Sequence, residues 1–104
     1  MAGNEKEDSN PMSQKSVGKR LRDLRRALEY TQETMADLVG LSSPSGWTNY
    51  ELGNTMIPPD KAALVCTISG VNFNFIYGGE LRGVPNDLLQ KIHAVESPNG
   101  KKNP

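Results

Sequence analysis

Two short amphipathic segments, each ending at a glycine, lie between Thr31 and Gly53 and constrain the fold more than any other part of the chain. Thr31 is a residue type that commonly caps a helix, and Glu33 follows in the first turn, where the helix dipole favours a carboxylate. Gly40 stands where a helix can end with a positive φ. The pattern therefore predicts a short helix. Its inward face is predicted to carry Met35, Ala36, Leu38 and Val39.

A second helix is predicted directly after a tight turn. Residues 42–44 read Ser-Ser-Pro, the usual order of a capping residue and a first helical residue without an amide hydrogen. Trp47 and Tyr50 lie three residues apart and so point to the same side, and Gly53 supplies a second helix end. Ala36 is small enough for the two helix axes to cross closely. Two short helices joined by such a turn form a helix-turn-helix.

These residues resemble the Cro and C1 repressor-type helix-turn-helix proteins, also called the XRE family. The resemblance spans residues 17–78 in the family's order. It rests on VGKRLRDLR at 17–25, on Thr31 and Gln32 with Ala36 and Gly40, on YELG at 50–53, and on GVNFNFIYG at 70–78. The resemblance implies an all-α, compact five-helix domain that binds double-stranded DNA and represses transcription.

The chain of 104 residues is long enough for one small domain. Four segments are predicted: a disordered polar leader at 1–14, the Cro/C1-type domain at 15–80, a C-terminal helical extension at 81–96, and a disordered polar tail at 97–104. The extension has one apolar face, formed by Leu88, Leu89, Ile92 and Val95. That face can lie back on the domain or serve as a dimerisation element.

The charges are unevenly distributed, although the formal net charge is zero. Residues 15–26 contain six bases and one acid, whereas residues 27–60 contain five acids and no base. Ser16 is predicted to cap this basic first helix. Its predicted apolar stripe consists of Val17, Leu21, Leu24 and Leu28. The excess of positive charge has two interpretations of equal weight, which are contacts with phosphate and an ordinary solvent-exposed helix face.

The residues expected to contact phosphate are Lys15, Lys19, Arg20, Arg22 and Arg26 on the first helix and Thr31 and Gln32 at the start of the second. Gln32 can bind a phosphate or brace the recognition helix, as the family resemblance implies. The same resemblance implies that Arg25 turns inward and pairs with Glu51. The other residues with a predicted structural role are Ala36, Gly40, Trp47 and Tyr50.

The groove-facing side of the second helix follows from the inward position of Trp47 and Tyr50. It is predicted to carry Ser43, Ser45, Gly46, Thr48 and Asn49. The amide of Asn49 can bind adenine through N6 and N7, which makes it the most selective of these residues. Gly46 is expected to let the backbone approach DNA closely.

The chain departs from the family pattern at two places. One residue more than usual separates Gly40 from Tyr50, which predicts a remodelled turn near Pro44. The loop after Gly53 often carries bases in the family, but residues 54–57 read Asn-Thr-Met-Ile here. The expected phosphate contacts are therefore few, and two copies would double them, which favours a homodimer.

No pattern in the sequence predicts an enzyme. The single histidine, His93, has no partner at metal-ligand spacing, and no glycine-rich phosphate loop is present, so neither a metal nor another cofactor is expected. The one cysteine, Cys66, is predicted to be a buried thiol, which fits a reducing cytoplasm. No apolar run has the length of a membrane span, and the charged start lacks the apolar core of a signal peptide.

The sequence thus predicts a cytoplasmic transcriptional repressor that binds a palindromic operator as a dimer. The alternative is a helix-turn-helix scaffold that binds a protein partner, in the manner of an antitoxin or antirepressor. The base-free acidic segment 27–60 favours this alternative, because an acidic surface repels phosphate. Met56 and Ile57, predicted to be exposed, favour it as well, because exposed apolar residues attract proteins.

Overall fold

The computed structural model describes residues 10–96, and within that range the fold is entirely helical. The six helices of this range are α1 (Gln14–Ala27), α2 (Gln32–Leu38), α3 (Pro44–Leu52), α4 (Pro59–Ser69), α5 (Phe73–Gly78) and α6 (Asn86–Glu96). The predicted all-α class is confirmed. Of the segments predicted to be disordered, residues 1–9 and 97–104 lie outside the described range. None of the six helices is long and apolar enough to cross a bilayer.

Helix α1 is the central element, and α3, α5 and α6 all pack against it. Three residues of its predicted apolar stripe, Val17, Leu21 and Leu24, are each at most 1% exposed, whereas the fourth, Leu28, is the C-cap residue and packs half-buried against the core. The N-cap is Ser13, whose side chain accepts a hydrogen bond from the Ser16 amide at 3.0 Å. The prediction that Ser16 caps the helix is therefore wrong, because α1 begins earlier than the charged segment indicated.

The distance between α1 and α3 is set by Gly18. A Cβ at this position would lie 2.4 Å from the Tyr50 carbonyl oxygen and 2.6 Å from that of Glu51. Both neighbours are backbone atoms of α3, so they cannot move aside without displacing the helix. The absence of a side chain at Gly18 is what permits this close contact.

Local capping rules describe the two central helices well. The Thr31 side chain accepts from the Thr34 amide at 3.0 Å, and α3 begins with Pro44 after Ser43. Ser43 makes no side-chain cap to the backbone, because its hydroxyl is 2.9 Å from the Ser45 hydroxyl. Gly53 ends α3 with a φ of 78°, a conformation that favours glycine.

Leu38, Met56 and Ile57 differ from their predicted burial. Leu38 is 42% exposed, because it lies about 100° around α2 from the buried face. Ile57 is 1% exposed and Met56 packs half-buried against the core, so the prediction that this pair faces solvent is wrong. The loop between α3 and α4 inserts the Ile57 side chain into the core, and the Tyr77 hydroxyl donates to the Ile57 carbonyl at 2.7 Å.

The predicted C-terminal helix forms α6 and packs against α1. Its residues Leu88 and Ile92 are buried, with exposed fractions of 7% and 2%. The sequence left open whether this helix packs on its own domain or serves as a dimerisation element. Within one chain it packs on the domain.

Replacement of Gly18 by alanine tests the close contact of α1 and α3. Gly18→Ala should lower the free energy of unfolding by about 1 to 3 kcal/mol, because the new methyl group meets two carbonyl oxygens. Gly78→Ala is the matched control, since nothing lies within 4 Å of a Cβ there. Urea denaturation followed by circular dichroism measures both, and equal midpoints for the two variants would contradict the proposed constraint.

Candidate nucleic-acid interface

An ion pair between α1 and α3 holds the second helix of the helix-turn-helix. Arg25 Nε lies 2.6 Å from Glu51 Oε2, and Arg25 Nη2 donates to Glu51 Oε1 at 3.2 Å. The pair is bidentate, and its side chains are only 13% and 4% exposed. Arg25 and Glu51 thus make the contact that the family resemblance implied.

The Glu51 carboxylate also binds donors from α2 and α3. Gln32 Nε2 donates to Glu51 Oε1 at 2.9 Å, and the Trp47 indole N–H donates to Glu51 Oε2. Each carboxylate oxygen therefore accepts two hydrogen bonds, which matches the roughly four acceptor positions of the group. The carboxylate joins three helices.

Gln32 is the residue that connects α2 to this network. Its side-chain oxygen accepts a hydrogen bond from the Thr48 hydroxyl at 3.0 Å, while its nitrogen binds Glu51. The amide thus braces α3, the second of the two roles considered for Gln32. One N–H of its amide remains for a phosphate. Thr31 is exposed, and its hydroxyl caps α2.

The outward face of α3 is polar at its N-terminal half. Of the five predicted reading residues, Ser43, Ser45 and Asn49 are exposed. Thr48 is half-buried with its hydroxyl directed to Gln32. The prediction for Gly46 needs correction: a Cβ there would lie 3.3 Å from Leu41, so the missing side chain makes room for Leu41 rather than for DNA.

Two residues at the end of α3 were not predicted to belong to the site. Leu52 is 59% exposed and follows Ser45 and Asn49 at helical spacing, so the periodicity alone could have placed it on the same face. Asn54 is exposed, and its side chain donates to Asn49 Oδ1 at 3.1 Å. An asparagine two residues after a helix gives no comparable signal in the sequence.

Four bases of α1 form a continuous basic stripe, defined as Lys15, Lys19, Arg22 and Arg26. Their spacing places them on the side of the helix opposite its buried face, and all four reach the surface. Asp23 offsets part of this charge, since its carboxylate lies 3.0 Å from Lys19 Nζ and 3.8 Å from Arg22 Nε.

Arg20 does not belong to the basic stripe. Its Nε and Nη2 donate to the Ile76 carbonyl oxygen at 3.1 and 3.0 Å, and Nη2 also donates to the Pro11 carbonyl. Burial lowers the pKa of the Arg20 guanidinium from its usual value. The side chain ties α1 to α5, so we remove Arg20 from the expected phosphate contacts.

The basic stripe begins beside the end of α3. Gln14 Nε2 donates to the Gly53 carbonyl at 3.1 Å, and a Cβ on Gly53 would lie 2.9 Å from the Cα of Lys15. The exposed face of α3 and the basic stripe of α1 therefore meet at the α3 C-terminus. A polar surface and a cationic surface lie next to each other there.

The remaining candidate groups show no cluster for chemistry. Within residues 10–96, no three His, Cys, Asp or Glu side chains are grouped so that they could hold a metal ion. His93 is exposed on α6. Cys66 is half-buried rather than fully buried, and burial raises the pKa of its thiol.

Comparison with known protein families gives one match. A family model described as a helix-turn-helix domain matches residues 18–91, from the first half of α1 to the middle of α6. The matched region contains α2, α3, the ion pair that joins α1 to α3, and most of the basic stripe. Neither the curated proteins nor the solved structures yield a match.

Removal of the Glu51 carboxylate tests its role as the centre of the network. Glu51→Ala should lower the free energy of unfolding by about 3 to 5 kcal/mol, because it leaves the buried Arg25 charge without its partner. Glu80→Ala is the control, since Glu80 pairs with Arg82, whose side chain is 89% exposed, and such pairs contribute little. Urea denaturation should separate the two variants clearly; a similar small loss for both would contradict the assignment.

Proposed function

The chain belongs to the helix-turn-helix domain family, and from this we propose that it is a Cro/C1-type transcriptional repressor that reads a specific DNA sequence. One observation carries the proposal: α3 is fixed on its inner side by Glu51 and presents exposed polar side chains on its outer side. A rigid helix with such a face suits the major groove, where side chains read base edges.

The proposed complex uses different residues for position and for sequence. Asn49 reads adenine, Ser43 and Ser45 bind nearby polar groups, and Leu52 offers an apolar contact to a thymine methyl group. The basic stripe, with Thr31 and Gln32 at the start of α2, binds phosphate oxygens and fixes the orientation of the protein on the duplex. Because Glu51 and Gln32 already hold α3 in place, less conformational entropy is lost when its side chains bind DNA.

A homodimer on a palindromic operator completes the proposal. One copy offers four stripe cations, two of which face Asp23, so its electrostatic affinity for DNA is limited. Two copies double the phosphate contacts and match the two-fold symmetry of a palindrome. Occupation of a promoter in the cytoplasm then represses transcription.

One of the two observations that favoured the protein-binding alternative was an exposed apolar pair at Met56 and Ile57. It does not hold, because Ile57 is buried and Met56 is half-buried. The acidic side chains of α2, Glu33 and Asp37, remain exposed. That observation alone does not distinguish a protein surface from the solvated flank of a DNA-binding face. We therefore keep this alternative as an outcome of the experiment below.

Fluorescence anisotropy of the purified chain tests the proposed function directly. The probes are duplex DNA from upstream of its own gene and a scrambled duplex, each at low and near-physiological salt. Preferential, salt-dependent binding to the upstream duplex supports the regulator. Absence of any binding at low salt would favour the protein-binding alternative, and the hydrodynamic mass of the free and bound chain tests the dimer.

Asn49 should contribute to specific binding only. Asn49→Ala is expected to weaken the specific duplex by about 1 to 3 kcal/mol and to leave the scrambled duplex nearly unchanged, because a base contact is lost. Competition binding with both duplexes measures this difference. An equal loss on both would contradict the reading role.

The basic stripe should contribute to all DNA binding. Replacement of Arg22 and Arg26 by alanine is expected to weaken every duplex together and to reduce the salt slope by about 0.9 per lost phosphate contact. Arg82→Ala removes an exposed positive charge from the loop between α5 and α6 and serves as the control. An unchanged salt slope in the double variant would place the phosphate contacts elsewhere.

A further inference from the structure

The side chain of Asn49 already has a partner within the chain. Asn54 Nδ2 donates to Asn49 Oδ1 at 3.1 Å, across the end of α3. Both residues are exposed, so neither amide is needed to fill the core. A contact between two exposed side chains on a proposed reading face points to a role in reading.

The backbone holds Asn54 in place for this contact. Its amide donates to the Asn49 carbonyl at 3.0 Å, and the preceding Gly53 has a φ of 78°. Gln14 from α1 donates to the Gly53 carbonyl at 3.1 Å, which fixes the turn from the other side. The backbone position of Asn54 is therefore set by α1 and α3 together, and it brings the Asn54 side chain within reach of Asn49.

In the contact described here the Asn49 amide has one orientation, with Asn54 as the donor. A free asparagine amide can exchange its oxygen and nitrogen by rotation about its last torsion, since the two ends are similar in shape. The donor from Asn54 favours the orientation in which Oδ1 faces Asn54 and the NH2 group faces away. One lone pair of Oδ1 and the Nδ2 hydrogens stay available for DNA.

An amide fixed in this way distinguishes adenine from guanine. Adenine presents the N7 acceptor beside the N6 donor, which an adjacent oxygen and NH2 group match. Guanine presents two acceptors, N7 and O6, and its O6 would face the fixed Asn49 oxygen. A freely rotating amide could instead turn its NH2 group toward O6 and keep one hydrogen bond.

We propose that Asn54 is a positioning residue that orients the Asn49 amide and thereby sets the preference for adenine over guanine at one operator position. The proposal rests on the proposed function, because it assumes that α3 reads DNA. It assigns Asn54 to specificity rather than to general affinity.

The test requires a specific probe, which is the duplex selected by the wild-type chain from a randomised library. Three forms of this duplex are compared: the original, a series with each adenine replaced by 7-deazaadenine, and a series with each A·T pair replaced by G·C. Dissociation constants are measured for the wild type, Asn49→Ala, Asn54→Ala and the double variant. Thr55→Ala is the control from the same loop, since the described residues show no side-chain hydrogen bond for it.

One adenine should respond to Asn49. Its change to 7-deazaadenine, which removes N7, should weaken the wild type about tenfold and leave Asn49→Ala unaffected. Asn54→Ala should bind the original duplex about two- to tenfold more weakly and show a smaller penalty for guanine at that position. In the Asn49→Ala background, Asn54→Ala should have no further effect, and Thr55→Ala should behave as wild type.

Three results would overturn the inference while the proposed function stands. They are additive losses in the double variant, a uniform loss on every duplex with the adenine preference intact, and wild-type binding that no 7-deazaadenine weakens. The first two would make Asn54 a structural or phosphate contact. Failure of the wild type to select any duplex would instead refute the proposed function, and the inference with it.

Discussion

The rest of the structure depends on the ion pair that the Glu51 carboxylate forms and on the hydrogen bonds that it accepts. A carboxylate that is only 4% exposed is costly unless its acceptor positions are filled, and here Arg25, Gln32 and Trp47 fill them. The three donors come from α1, α2 and α3, so one charged group determines how these helices sit relative to each other. Thr48 extends the network through Gln32. These groups bind one another on the inner side of α3, whereas the side chains of Ser43, Ser45 and Asn49 are exposed on its outer side.

The pairing of some charged side chains inside the fold explains how a chain with zero net charge forms a basic face. Arg25 is used by Glu51, and Arg20 is used by the end of α5, so two of the six bases of α1 serve the fold. The other four form the stripe at the surface, and Asp23 lowers its charge without removing it. Of the five acids of segment 27–60, four lie on other helices and Glu29 lies in the turn after α1. Affinity for phosphate therefore depends on where the charges are, and the net charge gives no measure of it.

Local rules predicted much of the fold. The glycine ends of α2 and α3 and the Thr31 cap each depend on a few neighbouring residues, and all occur as predicted. Two errors are local, namely the cap at Ser16 and the inward position of Leu38, whereas those at Arg20, Met56 and Ile57 concern long-range packing. Arg20 and Arg22 look alike in the sequence, yet the partner of Arg20 lies 56 residues away. Ile57 is buried because its side chain packs in the core and its carbonyl accepts a hydrogen bond from the distant Tyr77 hydroxyl. The site was predicted in part for the same reason: the exposed face of α3 follows from periodicity, whereas the side-chain partners of Thr48 and Asn49 depend on atoms outside that helix.

The close contact between α1 and α3 connects affinity with specificity. Gly18 brings the two helices together at the Tyr50 and Glu51 carbonyls, and the N-terminus of α1 meets Gly53 beside the exposed face of α3. The stripe that would bind phosphate and the side chains that would read bases are therefore parts of one rigid unit, although they lie on different helices. Phosphate contacts fix the position of a protein on the duplex. Because the two helices are closely packed, the phosphate contacts of α1 would also fix the position of Asn49 on α3. A flexible link between the same two helices would preserve the charge but leave the side chains of α3 without a fixed position relative to the phosphates. On the proposed function, the small size of Gly18 would therefore matter for recognition as well as for stability.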